Sequence, residues 1–167
     1  DRLLAALSWE RKTRISGWSS EHLKVLSGAH KGYFNTQYTP YIEDFFNEVD
    51  KKRPLIVFKS ASQVGKTIAG SVAVMYLIDT DPSEMLIVIP SADGIPTYLK
   101  HKFDAFLAGC KKVKDKIQLS TDIDKKRPRN ADKSFPGGML SVIGSSNVKT
   151  LTAKYVLLDE VADFAKG

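Results

Sequence analysis

The stretch that decides the reading is Leu55-Ile-Val-Phe-Lys-Ser60-Ala-Ser-Gln-Val-Gly65-Lys66-Thr67, which runs on into the apolar segment ending at Ile78. Leu55–Phe58 is a continuous apolar run of the kind that suits a strand buried on both faces. Ile68–Ile78 reads as a helix. Between them, Ser60–Thr67 lies on the pattern G-x-x-x-x-G-K-[ST]. In that pattern loop amides surround phosphate, the lysine meets the β/γ-phosphates and the hydroxyl meets Mg²⁺. Gly65, Lys66 and Thr67 match, whereas Ser60 stands where the first glycine would, and serine reaches positive φ only at a cost. The order strand, loop, helix supplies what a bare Gly-Lys-Thr lacks, because a helix N-terminus offers free amides and partial positive charge to an anion. Ser60, Ala61, Ser62, Gln63, Val64, Gly65, Lys66 and Thr67 are therefore the expected phosphate cradle for a nucleotide.

Working outward, Met85–Pro90 reads as a second buried strand and Ile95–Cys110 as a helix carrying Tyr98, Leu99, Phe103, Phe106 and Leu107. Residues 111–133 are charged and expected to be irregular or partly helical. Pro136-Gly137-Gly138 is a turn, Met139–Ile143 a third strand and Tyr155–Leu158 a fourth. Upstream, Thr39-Pro40 opens a helix whose apolar positions are Tyr41, Ile42, Phe45, Phe46 and Val49. The segments Ser16–His22 and Ser27–Phe34 are turn-like, and Leu3, Leu4, Leu7 and Trp9 could line a short helix. Strands alternating with helices predict an α/β fold with a mostly parallel sheet flanked by helices, and with ligand chemistry at the C-terminal ends of the strands. Residues 1–37 form a helical lead-in and 38–167 the main domain.

The fourth strand delivers Asp159 and Glu160 to its C-terminal end. A phosphate-loop enzyme needs an acid for Mg²⁺ and a group that orients the attacking water. If strand Tyr155–Leu158 lay beside Leu55–Phe58, Asp159 would sit near Thr67. Asp159 would then complete the Mg²⁺ shell and Glu160 would polarise water. The adjacent glutamate favours hydrolysis over transfer to a hydroxyl acceptor.

Composition narrows the class. The chain has 167 residues, 43% of them hydrophobic and 26% charged, which suits a folded domain able to bury its own core. No apolar run approaches the ~18–20 residues that span a bilayer, and no membrane role is expected. A single cysteine, Cys110, excludes an intrachain disulfide and fits a reducing, intracellular setting. His22, His30 and His101 show no metal spacing with each other or with Cys110. The net charge of +6 is concentrated in residues 100–134, which hold eleven bases against five acids. Its densest parts, Lys111–Lys116 and Lys125–Arg129, read either as a DNA-backbone contact or as a solvated insertion. Trp18 is expected to pack the lead-in onto the domain and Cys110 to be buried.

Taken in order, these segments resemble the ATPase part of the large terminase subunit of tailed phages, in the lambda-like GpA group. The resemblance is carried by Tyr38–Tyr41, Lys59–Thr67, Met85–Pro90, Phe135-Pro-Gly-Gly-Met-Leu140, Gly144-Ser-Ser-Asn147 and Tyr155–Val161. It covers residues 38–164, and the missing first glycine is itself common in that group. It implies a P-loop ATPase of the helicase-like (ASCE) kind that uses ATP and Mg²⁺ to drive double-stranded DNA into a capsid. It also implies a small terminase subunit and a portal as partners, homo-oligomeric assembly, and action in the host cytoplasm, transiently at the procapsid portal. Lys66 and Glu160 would be the catalytic residues, with Thr67 and Asp159 serving the metal. Tyr38 or Tyr41 falls where the family carries its adenine-contacting segment, although a core aromatic is the plainer reading. Neither Arg53 nor Lys59 makes a convincing arginine finger. The chain opens on Asp and stops seven residues after Glu160, without a nuclease domain, so it reads as an N-terminal portion cut after the Asp-Glu strand. The alternatives are a helicase-like DNA-dependent ATPase, or a non-catalytic fragment that binds DNA or a partner.

Overall fold

Met85–Ile89 is buried at every position and forms one of the two inner strands (β3) of a four-stranded sheet. The computed structural model describes residues 13–27, 31–61, 65–123, 132–150 and 152–164, with the backbone alone for 118–123, 149 and 150. A small antiparallel pair, β1 (Lys24–Val25) and β2 (Gly32–Tyr33), precedes the sheet. β4 (Asp132–Phe135), β5 (Gly138–Gly144) and β6 (Tyr155–Leu158) complete the main sheet in the order β4-β5-β3-β6. β3 runs parallel to β5, pairing Met85 with Leu140, and parallel to β6, pairing Met85 with Tyr155. β4 is antiparallel to β5, so the sheet is mixed. β4 is a strand only through that pairing, and its charged sequence Asp-Lys-Ser-Phe carries no strand pattern of its own.

The hairpin between β4 and β5 turns at Pro136-Gly137, where Gly137 has φ 92°. Gly138 follows because the chain passes against Ser83: a Cβ there would stand 2.2 Å from the Ser83 carbonyl oxygen. Gly144 is similar, with a Cβ position 2.6 Å from the Ala92 nitrogen. Beyond it, Ser145–Thr150 forms a 3₁₀ turn in which the Ser145 hydroxyl donates to the Pro90 carbonyl at 2.8 Å.

Among the described residues the helices are α1 (Ile15–His22), α2 (Tyr41–Asp50), α3 (Lys66–Thr80), α4 (95–107) and α5 (Lys111–Ile123), with α1 and α2 packed on each other and on α3. α4 is α-helical at both ends and π-helical over Leu99–Phe103. α3 is buried continuously from Ala69 to Ile78, which explains its lack of a polar face. Its Gly70 lets the helix lie close on β6, since a Cβ there would meet the Leu157 methyl at 2.9 Å. Phe46 and Ile42 of α2 join the same core, together with Ile15, Trp18, Leu23 and Phe34 from the lead-in. Cys110 is fully buried there.

Three expectations are corrected. Ser16–His22 is not a turn but most of α1. Trp18 fixes that helix by donating its Nε1–H to Asp79 Oδ2 at 2.8 Å and by an edge contact with Tyr76, so tertiary packing overrides a serine-rich composition. Leu55–Phe58 is not a paired strand, and Leu55 and Val57 are each 79% exposed. Its inward side chain Phe58 stacks on Phe45 at 5.4 Å, so the segment is anchored on α2 by one side only. Third, β6 has β3 as its neighbour and no strand on its other edge among the described residues, where Val156 and Leu158 are exposed. The proposed helix at Leu3–Trp9 lies outside the described residues. Among the described residues no helix is long and apolar enough to cross a membrane.

Candidate active site

The helix α3 starts abruptly. Gly65 caps it at φ 86°, in the left-handed region that glycine enters without cost. Lys66 and Thr67 are therefore its first two helical residues, close to the amides left free at a helix start. The Lys66 ammonium donates to the Ser60 and Ala61 carbonyl oxygens, both at 2.9 Å, and closes the loop on itself. The Ser60 hydroxyl is buried without a partner in the same loop. Ser62, Gln63 and Val64 lie outside the described residues.

Thr67 Oγ1 donates to Asp159 Oδ2 at 3.0 Å, across 92 positions of sequence. The expected meeting of these two residues thus occurs, but not by adjacent strands. The close seating of α3 on β6 at Gly70 and Leu157 brings the helix start to the strand end. Asp159 is nearly buried, and its N–H donates to the Val88 carbonyl at 3.0 Å, extending the β3–β6 ladder by one step. Glu160 follows in the left-handed region at φ 55°, which for a non-glycine residue marks local strain. That turn carries its carboxylate to Lys102 of α4, with Nζ 3.0 Å from Oε1. The same ammonium is 3.9 Å from Asp159 Oδ2 and sits 5.3 Å from the centre of the Tyr98 ring.

Beneath this cluster lie two hydroxyls, Tyr98 Oη and Ser71 Oγ, both buried and without a well-formed hydrogen bond. Burial, followed by the nearby Asp159 charge, pushes the Tyr98 phenol well above its ordinary range, so it stays protonated. Lys102, Tyr98 and Ser71 had no sequence signal pointing here. Lys102 reads only as one base of a Lys-His-Lys run, and nothing local tells which turn of α4 faces the acids.

A hydroxyl and a carboxylate oxygen at hydrogen-bond distance are a fitting pair of protein ligands for Mg²⁺, which commonly takes one or two protein groups plus phosphate and water. Among the described residues no group of three His, Cys, Asp or Glu forms a dedicated metal cage. The basic stretch divides. Lys112 and Lys116 are pinned to Asp79 at 2.9 and 2.6 Å, whereas Lys111 and Lys114 are exposed, and Lys125–Arg129 lies outside the described residues. Arg53 pairs with Glu48 at 2.9 Å. Tyr38 and Tyr41 are both surface residues, which corrects the plainer reading of a core aromatic.

The fold and site together define an α/β protein with a lysine-bearing helix start set against a carboxylate pair. Residues 28–167 match the family model of the phage terminase large subunit gpA, ATPase domain, and the chain belongs to that family. Its role is accordingly that of an ATPase motor domain in phage DNA packaging. Searches of curated proteins and of solved structures returned no match.

Proposed function

We propose that this chain binds ATP with Mg²⁺ at the start of α3 and hydrolyses it, the step that drives double-stranded DNA into the capsid. The observation that carries the reading is the Thr67–Asp159 hydrogen bond, which joins the helix start to the strand end at 3.0 Å. Residues 60–67 hold the phosphates, and Lys66 places its charge on them once it leaves the Ser60 and Ala61 carbonyls. Thr67 and Asp159 would hold the metal. Bound there, Mg²⁺ would draw charge from the phosphate oxygens and favour in-line attack. Glu160 orients the attacking water and accepts its proton. Lys111 and Lys114, with the bases at 125–129, supply salt-sensitive contacts to the DNA backbone. The small terminase subunit, the portal and further copies of the chain are the partners, and the host cytoplasm is the site of action.

The test is calorimetric titration of MgATP into the wild type, Lys66→Ala and Glu160→Gln. The expected result is binding by the wild type and Glu160→Gln and none by Lys66→Ala. Turnover in Glu160→Gln should fall by about 10²–10⁴-fold, the usual share of a general base. Equal binding by Lys66→Ala and wild type refutes the assignment of the loop.

A further inference from the structure

The site carries a cation that the phosphate loop does not account for. Lys102 comes from a different element, the π-helical stretch Leu99–Phe103, and π-turns inside helices often occur at functional positions. Its ammonium reaches both acids, at 3.0 Å from Glu160 Oε1 and 3.9 Å from Asp159 Oδ2. The second of these oxygens is the one that accepts from Thr67. The lysine therefore stands next to the atoms assigned to the metal, and its ammonium also lies over the Tyr98 ring, 5.3 Å from its centre.

Two adjacent carboxylates repel one another unless a positive charge lies between them. Here Asp159 is nearly buried and fixed in place, whereas the Glu160 side chain is half exposed and is held toward it by its ion pair with Lys102. We propose that Lys102 is the resident counter-cation of the Asp159–Glu160 pair. It is a positioning residue that holds Glu160 by an ion pair and competes with the divalent cation for Asp159. The inference rests on the metal assignment made above. It assigns the lysine two consequences. Without it, the acid pair gains net negative charge and attracts a divalent cation more strongly. Without it, Glu160 also loses its fixed partner, so turnover falls at saturating metal while the metal requirement is eased. A merely structural lysine would produce neither effect.

The probe is Mn²⁺ alone, titrated into the full chain without nucleotide and followed by electron paramagnetic resonance. Lys102→Met and Lys102→Gln should each bind Mn²⁺ about three- to fivefold more tightly than the wild type, the scale of one partly exposed ion pair. Lys102→Arg keeps the charge and should match the wild type. Unchanged or weaker Mn²⁺ binding in both neutral variants overturns the proposal, as does equal tightening in Lys102→Arg. ATP binding lost in Lys66→Ala is read separately, so the nucleotide assignment stands or falls independently of the Mn²⁺ result.

Discussion

Replacing Asp79 tests how the lead-in is held to the rest of the molecule. Asp79 lies near the end of α3 with its side chain only 5% exposed, and accepts from Trp18 Nε1, Lys116 Nζ and Lys112 Nζ at 2.8, 2.6 and 2.9 Å. Burial alone would push its carboxyl up, but the bonds from Lys116, Lys112 and Trp18 outweigh burial and hold it below its ordinary value of 3.8. Asp79→Ala removes the carboxylate from all three donors, while Lys116 keeps the Asp79 backbone carbonyl at 3.2 Å. The Lys112 and Lys116 side chains are 46% and 34% exposed, so their ammonium groups can turn to water. Each therefore contributes about 0.5–1 kcal/mol. The buried indole N–H loses a charged acceptor, worth about 1.5–2 kcal/mol. The total is about 2.5–4 kcal/mol, or on the order of 10 °C in Tm for a chain of this length. Asp79→Asn keeps an acceptor for the indole and should cost about half as much.

Differential scanning calorimetry at neutral pH, with tryptophan emission followed in parallel, measures both variants. The sign of the pH dependence follows from the lowered carboxyl. The stabilisation is fully present above the unfolded value of 3.8 and is lost as pH falls through the lower folded value. The gap between wild type and Asp79→Asn should therefore close below about pH 4. A fall of under about 2 °C for Asp79→Ala, or equal falls for both variants, would refute this account of the anchor.

Three further outcomes follow from the geometry. Gly138→Ala drives a Cβ to 2.2 Å from a backbone oxygen, so it should destabilise by about 1–3 kcal/mol in urea unfolding. Gly94→Ala, whose Cβ would meet only a side-chain methyl at 3.5 Å, should change stability by under about 0.5 kcal/mol. Thr67→Val preserves shape but removes the hydroxyl bonded to Asp159. Calorimetry should show ATP affinity falling about tenfold with Mg²⁺ and unchanged in chelator, a loss near 1.4 kcal/mol. Retention by Thr67→Val of the wild-type Mg²⁺ dependence would count against the metal assignment.

Apolar continuity identified β3 and β6 correctly but misread Leu55–Phe58, and the reason is physical. A run such as Leu-Ile-Val-Phe reports a demand for burial, while strand pairing requires a neighbour that no local pattern names. The same limit hid β4, which exists because the Pro136-Gly137 turn folds it back on β5. α1 was obscured by its serines, and what secures it is a hydrogen bond to a residue 61 positions away. In the candidate site, Gly65, Lys66, Thr67, Asp159 and Glu160 stand out in the sequence because each belongs to a short ordered motif, and of these the structure joins Thr67 to Asp159. Lys102 and Tyr98 do not, since their relevance comes from the face that α4 turns toward the acids.

The hydrogen bonds of Lys66 to its own loop have a thermodynamic consequence. An arriving anion does not meet a bare cation; it exchanges for two carbonyl acceptors already in place. The net gain is the difference between those contacts, so a weakly charged or singly bound anion gains little. Only a ligand that engages the ammonium, the helix-start amides and the Thr67 hydroxyl together outbids the resting arrangement. On the proposed nucleotide reading, the loop would therefore set a threshold favouring polyphosphates over free phosphate, with selectivity written into the idle state of the lysine.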